Sequence, residues 1–122
     1  MLDEKSIIYI VSDSIGETAE QVARAAAAQY GGIVSEIRRI PYVSEKQTIK
    51  EIISEAKAHN SIIVYTMVIP ELKEYLENEA KDQGIIYVDI MGPVIDAISH
   101  ITKAKPIYTP GIIRQLDEEY FK

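Results

Sequence analysis

Apolar residues fall into short, dense runs separated by longer amphipathic stretches along most of the chain. Ile7 to Val11 is nearly continuous and rich in β-branched residues, the pattern of a strand buried on both faces. Ser12-Asp13-Ser14 breaks the run. A helix is expected from about Ile15 to Tyr30, with Ser14 as its cap and Glu17 completing a capping-box pattern. Gly31-Gly32 stops it. Ile33 to Ile40 alternates more and reads as a second strand nearer an edge, closed by Pro41. Ile49, Ile52, Ile53 and Ala56 recur at helical spacing and predict a helix from about Glu45 to His59. Ile62 to Thr66 is a third strand. Pro70 opens a third helix with Leu72, Tyr75, Leu76 and Ala80 on its inner face, and Gly84 ends it. Ile85 to Ile90 is a fourth strand, and Gly92-Pro93 starts a helix carrying Val94, Ile95 and Ile98. Past Ile101 the pattern weakens. Residues 106 to 115 read as a short strand or an extended arm, and Asp117 to Lys122 as a helix start.

Four strand–helix alternations demand crossover connections and a parallel sheet. The expected class is α/β, a three-layer sandwich of flavodoxin-like or Rossmann-like type. Its parallel sheet should hold four or five strands, with the order 2-1-3-4. Residues 1–105 form the α/β domain and residues 106–122 a C-terminal arm. That arm holds Ile107, Tyr108, Ile112, Ile113, Leu116, Tyr120 and Phe121, which is too apolar for a free linker. It is therefore expected either to join identical chains into a homodimer or to fold back over its own domain.

Composition narrows the functional classes. With 47% hydrophobic and 26% charged residues, the chain is a globular protein and not a disordered tail. A net charge of −6 argues against broad nucleic-acid binding. There is no cysteine, so no disulfide framework, thiolate metal site or cysteine nucleophile. The longest apolar stretch, Ile62 to Ile69, is too short to span a bilayer, and the N-terminus lacks the marks of a signal peptide. No membrane association and a cytoplasmic location are expected.

Ligands of open parallel sheets bind beyond the carboxyl ends of the strands. The first such loop brings Ser12, Asp13 and Ser14 to a helix N-terminus, with Gly16, Glu17 and Thr18 behind them. Free amides and the helix dipole there favour an anion, while plain capping explains Ser14 and Glu17 equally well. Capping leaves Ser12 and Asp13 unexplained. Arg38 and Arg39 end the second strand and suit bidentate phosphate or carboxylate contact, or a solvated edge. Asp13 and Arg39 are the candidates for a catalytic role. His59 and His100 have no partner at ligand spacing, so no metal site is assigned. The loop has one glycine where a dinucleotide fingerprint wants three, and no segment matches a P-loop.

Four segments together carry a resemblance. They are Ser12 to Glu20, Arg38 to Val43, Asp89 to Pro93, and Pro110 to Lys122, in that order along the chain. They resemble the bacterial pyruvate, phosphate dikinase regulatory proteins and, more distantly, the phosphoenolpyruvate synthase regulatory proteins. The resemblance implies a bifunctional serine/threonine kinase and pyrophosphorylase. Such enzymes use ADP to phosphorylate a threonine of the dikinase, and phosphate to remove it with release of pyrophosphate. It also implies a P-loop in a second half, beyond Lys122, into which the arm of residues 106–122 should lead, packed between the two halves. No nucleotide-binding residue is thus expected in this chain, and no cofactor or activity of its own. Two alternatives stand beside catalysis: a non-catalytic dimerisation or target-recognition domain, and a small-anion-binding flavodoxin-like module.

Overall fold

The computed structural model describes residues 3–112. Among them the chain alternates strictly: β1 (Asp3–Ser12), α1 (Glu17–Ala28), β2 (Glu36–Ile40), α2 (Lys46–Lys57), β3 (His59–Thr66), α3 (Pro70–Asp82), β4 (Ile86–Asp89) and α4 (Gly92–Thr102). The strands form one parallel sheet in the order β2-β1-β3-β4. Class and order both agree with the sequence reading.

Successive strand residues point to opposite faces, and β1 feeds a core on each side of the sheet. Ile7, Tyr9 and Val11 join Ile49, Ile53, Ile63, Tyr65 and Leu76 in the larger cluster, under α2 and α3. Ile8 and Ile10 pack with Ala19, Ala23 and Val64 under α1. Small alanines on the buried stripe let α1 lie close to the sheet. β1 is thus the central, most buried strand, and the loop that leaves it sits at the middle of the sheet's carboxyl edge.

Several boundaries differ from the sequence reading. α1 starts at Glu17, and its N-cap is Gly16 with φ 83°, without a side-chain capping bond. The capping box on Ser14 is therefore not formed. The Ser14 amide donates to Ser12 Oγ instead, and its carbonyl accepts from the Tyr42 amide. These bonds hold Ser14 in the loop, two residues short of the cap. β2 begins at Glu36 and not at Ile33, because Gly31 and Gly32 both take left-handed φ and leave Ile33 exposed. β1 and β3 extend back to Asp3 and His59, which are paired to each other. Inter-strand pairing sets those ends, and side-chain periodicity does not register it. Tyr75, expected on the inner face of α3, is half-buried against the larger core, while Leu72, Leu76 and Ala80 are fully buried.

Residues 103–112 run out of α4 and end in a turn at Pro110-Gly111. The expected helix start at Asp117 lies outside the described residues, as does most of the Pro110 to Lys122 segment.

Leu76 has no exposed surface, whereas Ile101 on α4 is 77% exposed. Leu76→Ala should lower the unfolding free energy by about 3 kcal/mol, and Ile101→Ala by less than about 0.5 kcal/mol. Urea titrations of the two variants check the contrast.

Candidate functional site

The carboxyl ends of β1, β3 and the edge strand β2 are tied together by polar contacts. Ser12 at the end of β1 is 1% exposed. Its hydroxyl donates to the Thr66 carbonyl at 3.1 Å and accepts from the Thr66 hydroxyl at 3.0 Å. Asp13 is also buried, and its Oδ2 accepts from the amides of Val68 and Ile69, both at 2.8 Å. Those amides precede Pro70, the first residue of α3. Asp13 therefore caps a neighbouring helix through space. It offers a charged acceptor where the dipole of α3 is positive. On the other side, Tyr42 and Val43 donate to the Ser14 and Ser12 carbonyls at 2.8 and 2.9 Å. Tyr42 takes a left-handed φ of 56° to do so.

Above this floor lies a cavity of about 430 Å³. Ser12 to Thr18, Thr66 and Val68 form its base, Met91 and Ile95 one wall, and residues 106–112 its cover. Ser12, Ser14, Thr18 and Thr66 supply hydroxyls, and the N-terminus of α1 opens into it. The remaining walls are mostly apolar, as in small-ligand clefts. Among the described residues, no lysine, arginine or histidine lines it. Gly111, at φ 69°, passes so close to Ser14 that a Cβ there would stand 3.1 Å from the hydroxyl oxygen.

The two sequence-nominated arginines separate. Arg38 lies on the α2 side of the sheet, over the Tyr9 ring at 5.6 Å, with Glu36 at 2.7 Å and Glu55 as a second partner. Arg38 first, and Lys5 second, hold the Glu36 carboxyl down at about 2. Arg39 lies on the α1 side, 3.3 Å from Glu20, with its aliphatic stem against Gly16. Arg39 is thus brought to the back of the α1 N-terminal turn, and Arg38 is not. Of the residues nominated in the first loop, Ser12, Asp13, Ser14, Gly16, Glu17 and Thr18 all line the cavity. Among the described residues, no cluster of three or more acidic or histidine side chains is placed to hold a metal ion. Nor is any helix of the described residues long and apolar enough to cross a membrane.

Asp89 and Gly92, which residue type and spacing alone do not mark as site residues, shape the wall. Asp89 Oδ1 accepts from the amides of Met91 at 3.1 Å and Gly92 at 2.7 Å, and its Oδ2 meets Lys73 Nζ at 2.9 Å. A Cβ on Gly92 would overlap that carboxylate and sit 2.8 Å from Lys73 Nζ. The spacing Asp-x-Met-Gly-Pro is therefore a cap in which only glycine fits. Such a carboxylate two or three residues before a helical Gly-Pro is a signal the sequence did contain.

A profile of the kinase/pyrophosphorylase family matches residues 8–122. The chain belongs to this family. Curated relatives named pyruvate, phosphate dikinase regulatory protein are similar over nearly its whole length. The relative from Desulfitobacterium hafniense is 49% identical across 100% of this chain, and the one from Halalkalibacterium halodurans 47% identical across 98%. The relative from Carboxydothermus hydrogenoformans is 48% identical across 98%. The chain covers 43–45% of the length of these three relatives. Within this kinase/pyrophosphorylase chain, three of the segments that carried the resemblance meet around one cavity. These are the loop after β1, the Asp89–Pro93 cap, and the start of the Pro110 segment. The fourth, Arg38 to Val43, braces the first from behind.

Three outcomes follow from these contacts. Asp13→Ala strands two amides and should cost about 3 kcal/mol, with Asp13→Asn recovering much of it, since an amide oxygen still accepts. Gly92→Ala should cost about 1–3 kcal/mol by forcing the Asp89 carboxylate away. Denaturant unfolding of the three variants checks both. Glu36 titrates at about 2 when folded against an ordinary 4.5, so its ion pairs stabilise fully above pH 4.5 and fade as pH falls toward 2. The stability difference between the parent and Glu36→Gln should therefore close over that acid range, and added salt should shrink it at neutral pH.

Proposed function

We propose that this chain is the target-facing half of a bifunctional serine/threonine kinase and pyrophosphorylase that regulates pyruvate, phosphate dikinase. In the forward direction the full-length enzyme moves the β-phosphoryl group of ADP to a threonine hydroxyl of the dikinase, leaving AMP. In reverse, inorganic phosphate takes that phosphoryl group, giving pyrophosphate and free threonine. ADP and phosphate bind in the remainder of the full-length polypeptide, on a P-loop outside this sequence, and the chain alone has neither activity. A cytoplasmic location goes with a dikinase substrate.

The observation that carries this reading is the family match over residues 8–122, with relatives named as dikinase regulators. The cavity supports the division of labour. Its hydroxyl and amide floor and apolar walls suit a threonine side chain and its neighbours in a peptide segment. The polyphosphate of a nucleotide calls for cations, and the lining named above has none. Ser12 and Asp13 position the floor, and Ser14, Gly16 and Thr18 face the incoming group. Arg39, behind Gly16 and paired with Glu20, stands outside the described lining and is the candidate to position the first turn of α1 around a transferred phosphoryl group. Target recognition without catalytic groups is the second reading. It is favoured by the Asp13 carboxylate being engaged by two amides.

Full-length protein should phosphorylate dikinase with ADP and reverse the modification with phosphate, while the present chain should do neither and bind no ADP in calorimetry. Thr18 is exposed at the cavity mouth, so Thr18→Phe narrows it at little folding cost. In the full-length enzyme this variant should raise KM for dikinase by about tenfold, a 1.4 kcal/mol loss of binding, and leave KM for ADP unchanged. Unchanged KM for dikinase would remove the cavity from the target site. Arg39→Gln separates the two readings: a fall in kcat with an intact KM for dikinase favours catalysis, and the reverse favours recognition.

A further inference from the structure

α4 is the last described helix, and its own domain scarcely uses it. Gly92 is its buried residue. Val94, Ile98 and Ile101 fall at i, i+4 and i+7, which places them on one stripe, and all three are exposed. The strand before it repeats the pattern. Ile86 and Val88 align with Ile62 and Val64 of β3, so they share the sheet face on which Val64 is buried. Yet Ile86 is 63% exposed and Val88 41% exposed. Two consecutive elements therefore present bare aliphatic side chains, beside a strand, β3, whose Ile63, Val64 and Tyr65 are buried. Exposed aliphatic side chains gathered on two consecutive elements point to an interface.

The family match reaches residue 122, and the relatives carry more than half their length outside the matched part. From Ile112 to Lys122 the chain can reach no further than about 35 Å. A domain that follows Lys122 in the full-length polypeptide is therefore tethered within one domain's breadth of α4. We propose that the β4–α4 face is the seat of that second half, docked in cis through a surface of aliphatic side chains. The proposal rests on the two-half enzyme described above and adds where the halves meet. It also assigns α4 to the interface and not to the core of its own domain.

Cysteine labelling tests it, since this chain has no cysteine of its own. Ile98→Cys and Ile101→Cys are made in this chain and in the full-length protein, with any cysteine beyond Lys122 replaced by serine. Val22→Cys, on the exposed side of α1, is the control. Maleimide should modify positions 98 and 101 at least about tenfold more slowly in the full-length protein than in this chain, independently of protein concentration, with position 22 unaffected. Equal rates in the two proteins overturn the proposal. Protection that disappears on dilution assigns the face to a second copy and overturns it too. Equally slow labelling in both places a segment of residues 1–122 over the face, with the same result. Labelling requires no turnover, so kinase and phosphorylase assays on the same full-length protein test the two-half reading separately.

Discussion

The carboxylate of Asp13 joins two loops that the chain keeps more than fifty residues apart, and the rest of the site depends on that junction. It leaves the end of β1 and satisfies the amides that enter α3. Ser12 does the same for the end of β3 through Thr66. Burying a carboxylate is unfavourable unless hydrogen bonds compensate it, and here the compensation fixes one loop against the other. The cavity floor inherits its shape from this pairing. Tyr42 and Val43 close the arrangement from the β2 side, so the loop after β1 is held by both neighbouring strand ends.

Fold and chemistry are coupled through the same residues. A parallel sheet puts its helix N-termini at one edge, where amides lack intrahelical partners. This protein satisfies the N-terminus of α3 with Asp13 and that of α4 with Asp89, both by carboxylates at strand ends. α1 begins differently, at a left-handed glycine with no side-chain cap, and its first turn opens into the cavity. The starts of α3 and α4 are thus closed by acids, while that of α1 faces the cleft, with hydroxyls and Glu17 of its own first turn around it. Lys73 offsets the second acid at the wall: burial pulls its ammonium down, and the Asp89 carboxylate outweighs that and raises it.

Much of this was legible in the residue order. Continuous β-branched runs at Ile7–Val11 and Ile62–Thr66 signal buried central strands, because both faces of an inner parallel strand are covered. Helical spacing in Ile49, Ile52, Ile53 and Ala56, and in Leu72, Leu76 and Ala80, marks the buried stripes of α2 and α3. Strict alternation then leaves few topologies, and the order 2-1-3-4 is the one realised. The first loop's place at the carboxyl edge was also legible, since hydroxyls and an acid directly after a buried strand stand at the end where parallel sheets open their clefts.

What local pattern could not decide was who answers whom. Ser14 and Glu17 spell a capping box, yet long-range bonds to Ser12 and Tyr42 keep Ser14 out of the helix. Asp13 caps a helix whose start lies over fifty residues away, and Arg38 and Arg39, adjacent in sequence, end on opposite faces of the sheet. The apolar stripe of α4 predicts a helix correctly and says nothing about whether its own domain covers it. Periodicity reports which faces want burial, because it follows the geometry of one element. Partners across the sheet are chosen by topology, so the cavity floor, the split of the arginines and the bare β4–α4 face were decided by tertiary structure alone.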